Sequence, residues 1–350
     1  MRTKKLSISL NPQTLWLLEI HPSLPVDQET LDTAQTALLR CLPFLLGVTC
    51  LSVGLSPNAT FLASVFQAIT SSTIARTVQK LSLSGRAQMF TSLAPSLAGY
   101  SAHNTPFKSL TELDLVTTSP MSEYAEFSST QTDSSLSLAP FLRTLTSTLQ
   151  VLSISNGEQL SQYNPFKFFI FDAFSELFSQ SDFPVTFRSL KSLQLTFYLS
   201  SAEQLDTWFA ALVNNNPQFP SLQTLSIEYP PTTPTGLSAM LTFIKRNAPT
   251  LSELGIHQCP LTHKEAEQVI DALTEDEVQL QATSRALKSL SMEITHLSVS
   301  FLDLLACKLP QLEKLSLYLA ENVDLDQVRF ISSLPLFSSQ RCLCHIVLIL

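Results

Sequence analysis

The chain has 350 residues, 45% of them apolar and 14% charged, with a formal net charge of −8. The charged share is low against a typical ~25%, and the acidic balance excludes a nucleic-acid footprint, which needs a basic face. No run reaches the ~18 apolar residues of a membrane-spanning helix, and six cysteines without framework spacing read as reduced thiols of a cytoplasmic or nuclear protein.

At the amino terminus Arg2, Lys4 and Lys5 precede a stretch broken by Asn11, Pro12 and Gln13. That makes a poor secretion signal, so the sequon Asn58-Ala59-Thr60 reads as a chance match. From there a pattern Leu-x-x-Leu-x-Leu returns about every thirty residues. Weak copies begin at Leu15, Val48, Val78 and Leu343. Full copies are Leu110-Leu113-Leu115, Leu149-Leu152-Ile154, Leu190-Leu193-Leu195, Leu222-Leu225-Ile227, Leu251-Leu254-Ile256, Leu287-Leu290-Met292 and Leu312-Leu315-Leu317. Each copy predicts a short strand. A lead-in such as Phe107-Lys108-Ser109, Phe187-Arg188-Ser189 or Phe219-Pro220-Ser221 precedes several of them.

After each strand comes a turn rich in Ser, Thr and Pro, and then apolar residues at helical spacing. The clearest helices are predicted over 202–213, 235–246 and 264–273. Thr262 is placed as an N-cap, with Glu265 three residues on. Intervals between strands run from 25 to 41 residues. The irregularity places insertions near 117–147 and 156–189. The first is rich in Ser and Thr and reads as a loop. The second holds Phe166, Phe168, Phe169, Phe171, Phe174 and Phe178. It reads as a long convex helix burying its rings, with an interaction helix as the alternative.

One strand and one helix cannot bury an apolar face alone, so copies must stack. Stacked strands sit about 4.8 Å apart and helices about 10 Å apart. The helical side then fans out. The expected fold is a single α/β solenoid over 1–350 of about eleven irregular repeats, curved like a horseshoe. Its parallel sheet lines the concave face and its helices the convex face. The chain ends on Cys342-Leu343-Cys344-His345-Ile346-Val347-Leu348-Ile349-Leu350. A bare apolar strand suits neither end of a solenoid. Truncation of a longer chain, end-to-end association and an inexact end all fit, the first and last better.

The stretch Leu251-Ser252-Glu253-Leu254-Gly255-Ile256-His257-Gln258-Cys259-Pro260-Leu261-Thr262 resembles the cysteine-containing type of leucine-rich repeat. That type belongs to the ribonuclease-inhibitor-like superfamily and occurs in substrate receptors of F-box ubiquitin ligases. The resemblance covers nearly the whole chain at the level of the strands, but only this repeat carries the full cysteine pattern. It implies that Cys259, and Thr118 and Thr295 at the matching positions, join loop backbone between coils. Arg86, Gly157, Tyr198, Pro230 and Ala320 occupy that position elsewhere and cannot do so in the same way. It also implies protein partners, ubiquitin-ligase components among them. An F-box would have to precede the repeats. Leu24-Pro25 is faintly similar to its start, yet Leu15-Leu18-Ile20 already reads as a repeat strand. The F-box is therefore either missing or outside this chain.

Enzyme motifs are missing: there is no Gly-x-Ser-x-Gly and no phosphate loop ending in Gly-Lys-Ser/Thr. The expectation is a non-enzymatic protein-interaction module without cofactors; the alternative, which the resemblance alone implies, is a substrate-receptor subunit of an F-box-type ubiquitin ligase. Two groups have metal-ligand chemistry, His257-x-Cys259 with His263, and Cys342-x-Cys344-His345. The repeat itself explains both, the first through the ladder cysteine and the second through the last strand. The useful surface is the inner face of the sheet. Positions four and six of each repeat are expected inside, and three, five and seven outside. Position five is mostly serine. Position seven gathers Glu228, His257, Glu293 and Tyr318 in the carboxy-terminal half, with Glu253 nearby at position three. Paired carboxylates attract Lys or Arg, and Tyr is enriched at interface hot spots. These five residues are the expected partner-binding patch, facing a basic or mixed segment.

Overall fold

The repeat pattern becomes strands because its fourth and sixth residues alternate to one side of the backbone. In the computed structural model this holds at each repeat from Val48 to Leu319, where Leu51 and Val53, Leu81 and Leu83, Leu113 and Leu115, and so on to Leu315 and Leu317, are buried. The structure describes residues 4–8, 36, 39–40, 48–54, 59–85, 90, 106–117, 138–155, 186–197, 202–215, 217–274, 287–319 and 343–348. The chain divides into two compact units, Met1–Leu190 and Lys191–Leu350.

The first unit contains β1 (Lys4–Ile8), β2 (Val48–Gly54), β3 (Lys80–Gly85), β4 (Glu112–Thr117) and β5 (Val151–Ser155). They pair in chain order, all parallel. Between them lie α1 (Ala59–Ser71), α2 (Ile74–Thr77) and α3 (Ala139–Leu145). Phe107 of the lead-in packs edge-on against Phe141 of α3, with centroids 6.1 Å apart. This is how the lead-in phenylalanine ties a strand to its helix layer.

The second unit contains β6 (Ser192–Thr196), β7 (Thr224–Glu228), β8 (Glu253–Leu261), β9 (Ser289–Ile294), β10 (Lys314–Leu319) and β11 (Leu343–Leu348). These too are parallel and in chain order. Its helices are α4 (Ala202–Asn214), α5 (Pro234–Asn247), α6 (His263–Thr274) and α7 (Val299–Lys308). They pack successively, α4 on α5, α5 on α6 and α6 on α7. The expected helices at 202–213, 235–246 and 264–273 agree with α4, α5 and α6 to within one residue at each end. On α4 the buried residues are Leu205, Trp208, Phe209 and Leu212, the spacing of one helical face. Phe197, just past β6, meets Trp208 and Phe209 at 5.2 and 5.4 Å between centroids.

Two devices recur from coil to coil. The carbonyl at position two accepts the N–H of positions two and three of the next coil. Thus Gln79 O binds Thr111 and Glu112, Gln223 O binds Ser252 and Glu253, and Ser252 O binds Lys288 and Ser289. Serines of the lead-in add side-chain staples, Ser109 Oγ to Arg76 O at 2.6 Å and Ser189 Oγ to Ser147 O at 2.7 Å. The same turn, N–H of the first leucine to the carbonyl three residues back, repeats at Leu110, Leu190, Leu222 and Leu312.

Three expectations need correction. The strand that pairs with β2 is Lys4–Ile8, with Leu6 opposite Leu51 and Ile8 opposite Val53, and the segment expected at Leu15 lies outside the described residues. Leu6 and Ile8 supply the alternating pair without the leading apolar residue, since Thr3 stands there. At the other end, β11 pairs with Leu315 opposite Cys344 and Leu317 opposite Ile346. Position five is therefore His345, not Val347, and position seven is Val347, not Ile349. Pairing follows the backbone ladder of β10, and the alternation of this strand is apolar at too many places to fix the register. In the first insertion residues 139–145 form α3 where a loop was expected, while its serine-rich part at 128–135 and the phenylalanine run at 166–178 lie outside the described residues, as do Asn58, Thr118 and Cys342. No helix among the described residues is long and apolar enough to cross a membrane.

Candidate functional site

Positions three, five and seven of β6–β10 share one face of the second unit's sheet, as the burial alternation requires. Register then sets the neighbours. Thr196 pairs with Glu228 and Glu228 with His257. On the far side Glu293 pairs with Tyr318.

A bulge joins these two pairs. β8 and β9 run in register as far as Ile256 opposite Met292, and meet again at Leu261 opposite Ile294. Four residues of β8, His257 to Pro260, therefore stand against the single Glu293. Gln258 takes a left-handed φ of 64° to make the detour, and Tyr229, just after Glu228, takes 57°. A bulky residue in that region is costly, and such outliers concentrate at functional sites. Bulges also re-aim side chains next to such sites.

The His257 ring folds back over Gly255. A Cβ at Gly255 would stand 2.9 Å from Nε2 of His257 and 3.5 Å from Oγ of Ser226. Only glycine leaves room for the imidazole on the sheet floor. From there the ring reaches across the line of β9 to Tyr318, two strands away. The centroids are 5.5 Å apart and the planes meet at 82°, an edge-to-face pair. The small Ser291 between them lets the two rings close over it.

Charge completes the picture. Burial holds the His257 imidazole below its ordinary pKa of 6.5, against an upward pull from Glu228 and then Glu293. It is thus neutral at pH 7, with a carboxylate on either side. Glu228 is held in place by Thr196, whose Oγ1 donates to Oε2 at 3.0 Å. Four of the five expected patch residues, Glu228, His257, Glu293 and Tyr318, are brought together. Glu253 is not: it lies at the other end of its strand, exposed, in register with Thr224 and Ser289. Two participants were missed. Thr196 is the position-seven neighbour of Glu228 one coil earlier, a signal the repeat numbering carries. Gly255 is the one glycine at position five of β6–β10.

The metal candidate built on His257 does not gather its ligands. Burial pushes the Cys259 thiol pKa up, and Glu265 and Glu293 push it further. His263 turns its ring to α6 and α7, with Nε2 3.2 Å from Glu267 and Nδ1 3.5 Å from Ser298 Oγ. Ser298, His263 and Glu267 fall in the order of an acyl-transfer triad, but the Ser298 oxygen accepts from Phe301 N–H as the N-cap of α7. Among the described residues no group of three His, Cys, Asp or Glu is placed to hold a metal ion. Thr295 performs the inter-coil role implied for it: its N–H and its hydroxyl both donate to Leu261 O, at 2.9 and 3.4 Å. No family model matches the chain, and no curated protein shows significant similarity to it.

Proposed function

We propose that this chain is a leucine-rich-repeat module without enzymatic activity, and that it binds a protein partner on the inner face of its sheet. In such repeats the helices are wider than the strands, so the coil curves and the sheet lines the hollow. The observation that carries the reading is the convergence of Glu228, His257, Glu293 and Tyr318 around a bulge with strained backbone, on a face otherwise floored by small residues. Nothing in the packing of the core requires that group. In the first unit, by contrast, a carboxylate of the corresponding face meets a cation: Lys80 pairs with Glu112 at 3.2 Å.

The test is a quantitative capture from lysate of the source cells. It compares the intact chain with a variant carrying Glu228, His257, Glu293 and Tyr318 all changed to Ala. Proteins held by the first and lost by the second, with the melting temperature unchanged, support the reading. Identical captures overturn it.

A further inference from the structure

We infer that the corner formed by Glu228, His257, Glu293 and Tyr318 receives an arginine side chain presented by the partner protein. The inference rests on the reading of this face as a binding surface and specifies what the surface recognises. It begins from charge. Over positions three, five and seven of β6–β10 the face carries three carboxylates, Glu228, Glu253 and Glu293, and one ammonium, Lys314. Lys314 stands at position three, so no cation of this face lies in the position-seven row. Two carboxylates there share one neutral imidazole.

Geometry then favours a guanidinium over a compact ammonium. Glu228 on β7 and Glu293 on β9 stand to either side of β8, with His257 feeling both carboxylates. Planar donors on several sides suit such divided acceptors better than a point charge does. The His257 and Tyr318 rings are perpendicular, so the edge-on ring keeps faces that its mate does not cover. Guanidinium stacks on such faces. The floor of Ser226, Gly255 and Ser291 lets a long side chain come down to the sheet.

His257 gives the site a resident competitor. The groups facing it are Glu228 from β7, Glu293 from β9 and Tyr318 from β10, with Cys259 beyond it on its own strand. When the imidazole takes a proton, the corner holds its own cation between the two carboxylates. Arginine affinity therefore falls as the pH drops through the titration of His257.

The probe is N-acetyl-arginine amide, titrated into the full chain with labelled His and Tyr rings and followed by NMR. Its neutral isostere N-acetyl-citrulline amide and N-acetyl-lysine amide serve as controls. The expected result is saturable movement of the His257 and Tyr318 resonances with arginine, and at most a weak response to the other two. In the double variant Glu228→Gln/Glu293→Gln binding weakens at least about tenfold, while Glu253→Gln leaves it unchanged. The remaining resonances of each variant report that the fold is kept. An equal response to citrulline, an equal response to lysine, or unchanged binding by the double variant each overturns the inference. If arginine fails while the fourfold alanine variant still loses a partner, the face binds other chemistry, and only this inference falls.

Discussion

At the scale of the residue, His257 is the informative side chain. Its folded pKa is lowered by burial, so the unfolded chain takes up a proton at this position at a higher pH than the folded one does. The linkage sign follows: stability contributed here is present above the unfolded value near 6.5 and is lost as the pH falls through the folded value. Denaturant melts between pH 8 and pH 5 should show stability falling below about pH 6.5. The fall should be shallower in His257→Asn. Parallel curves for the two proteins would show that the imidazole carries no part of the pH dependence. Gly255 controls the same ring from below. Gly255→Ala puts a methyl 2.9 Å from Nε2 and lifts the imidazole off the sheet. Exposure relieves the desolvation, so NMR titration of His257 should move up toward the ordinary value, with the fold intact. An unmoved or lowered titration would mean the ring finds an equally buried place elsewhere.

At the scale of the element, helix starts separate what was legible from what was not. The capping box of α6 could be read because its two halves are three residues apart. Thr262 N–H donates to Glu265 at 2.8 Å, and Glu265 N–H returns to Thr262 Oγ1 at 3.4 Å. The start of α5 could be placed, but not what holds it. There Asp206, in the middle of α4, accepts from the hydroxyls of Thr233 and Thr235, and Thr233 caps Gly236 N–H. No local pattern links residues from two helices 27 apart. Gly236 belongs to this cluster for want of space, since a Cβ there would collide with Asp206 Oδ1 and fall 2.7 Å from Pro231 Cβ. Gly236→Ala should therefore destabilise the second unit by about 1–3 kcal/mol, despite the better helix propensity of alanine. Thr262→Ala should cost about 1 kcal/mol. Urea melts measure both, and a stabilised Gly236→Ala would show that Asp206 simply swings away. Strands divide the same way. β2 to β10 were legible because burial alternates over positions four and six. β1 was not, for it carries only the last pair of the pattern. In the candidate site the repeat numbering placed Glu228, His257, Glu293 and Tyr318 in one row. It could not show the four-against-one bulge, which depends on backbone torsions at a glutamine.

At the scale of the whole molecule, the repeated units decide how damage spreads. Within each unit, from β2 to β5 and from β6 to β10, the position-two carbonyl bonds the next coil, and the fourth and sixth residues are buried. Stability is then close to a sum of coil terms and nearest-neighbour terms. A core truncation should act most on its own coil and the two beside it. Leu254, on β8, is 2% exposed, and Leu254→Ala should cost about 2–5 kcal/mol. Native-state amide exchange should quicken most in β7, β8 and β9, and less in β6 and β10. The fourfold alanine variant of the binding corner offers the contrast. It removes side chains from the other face of the same strands, so it should leave the melting temperature nearly unchanged while removing partner capture. Exchange that quickens equally from β6 to β10 in Leu254→Ala would mean that the second unit opens as one cooperative block. The coils would then depend on one another well beyond their nearest neighbours.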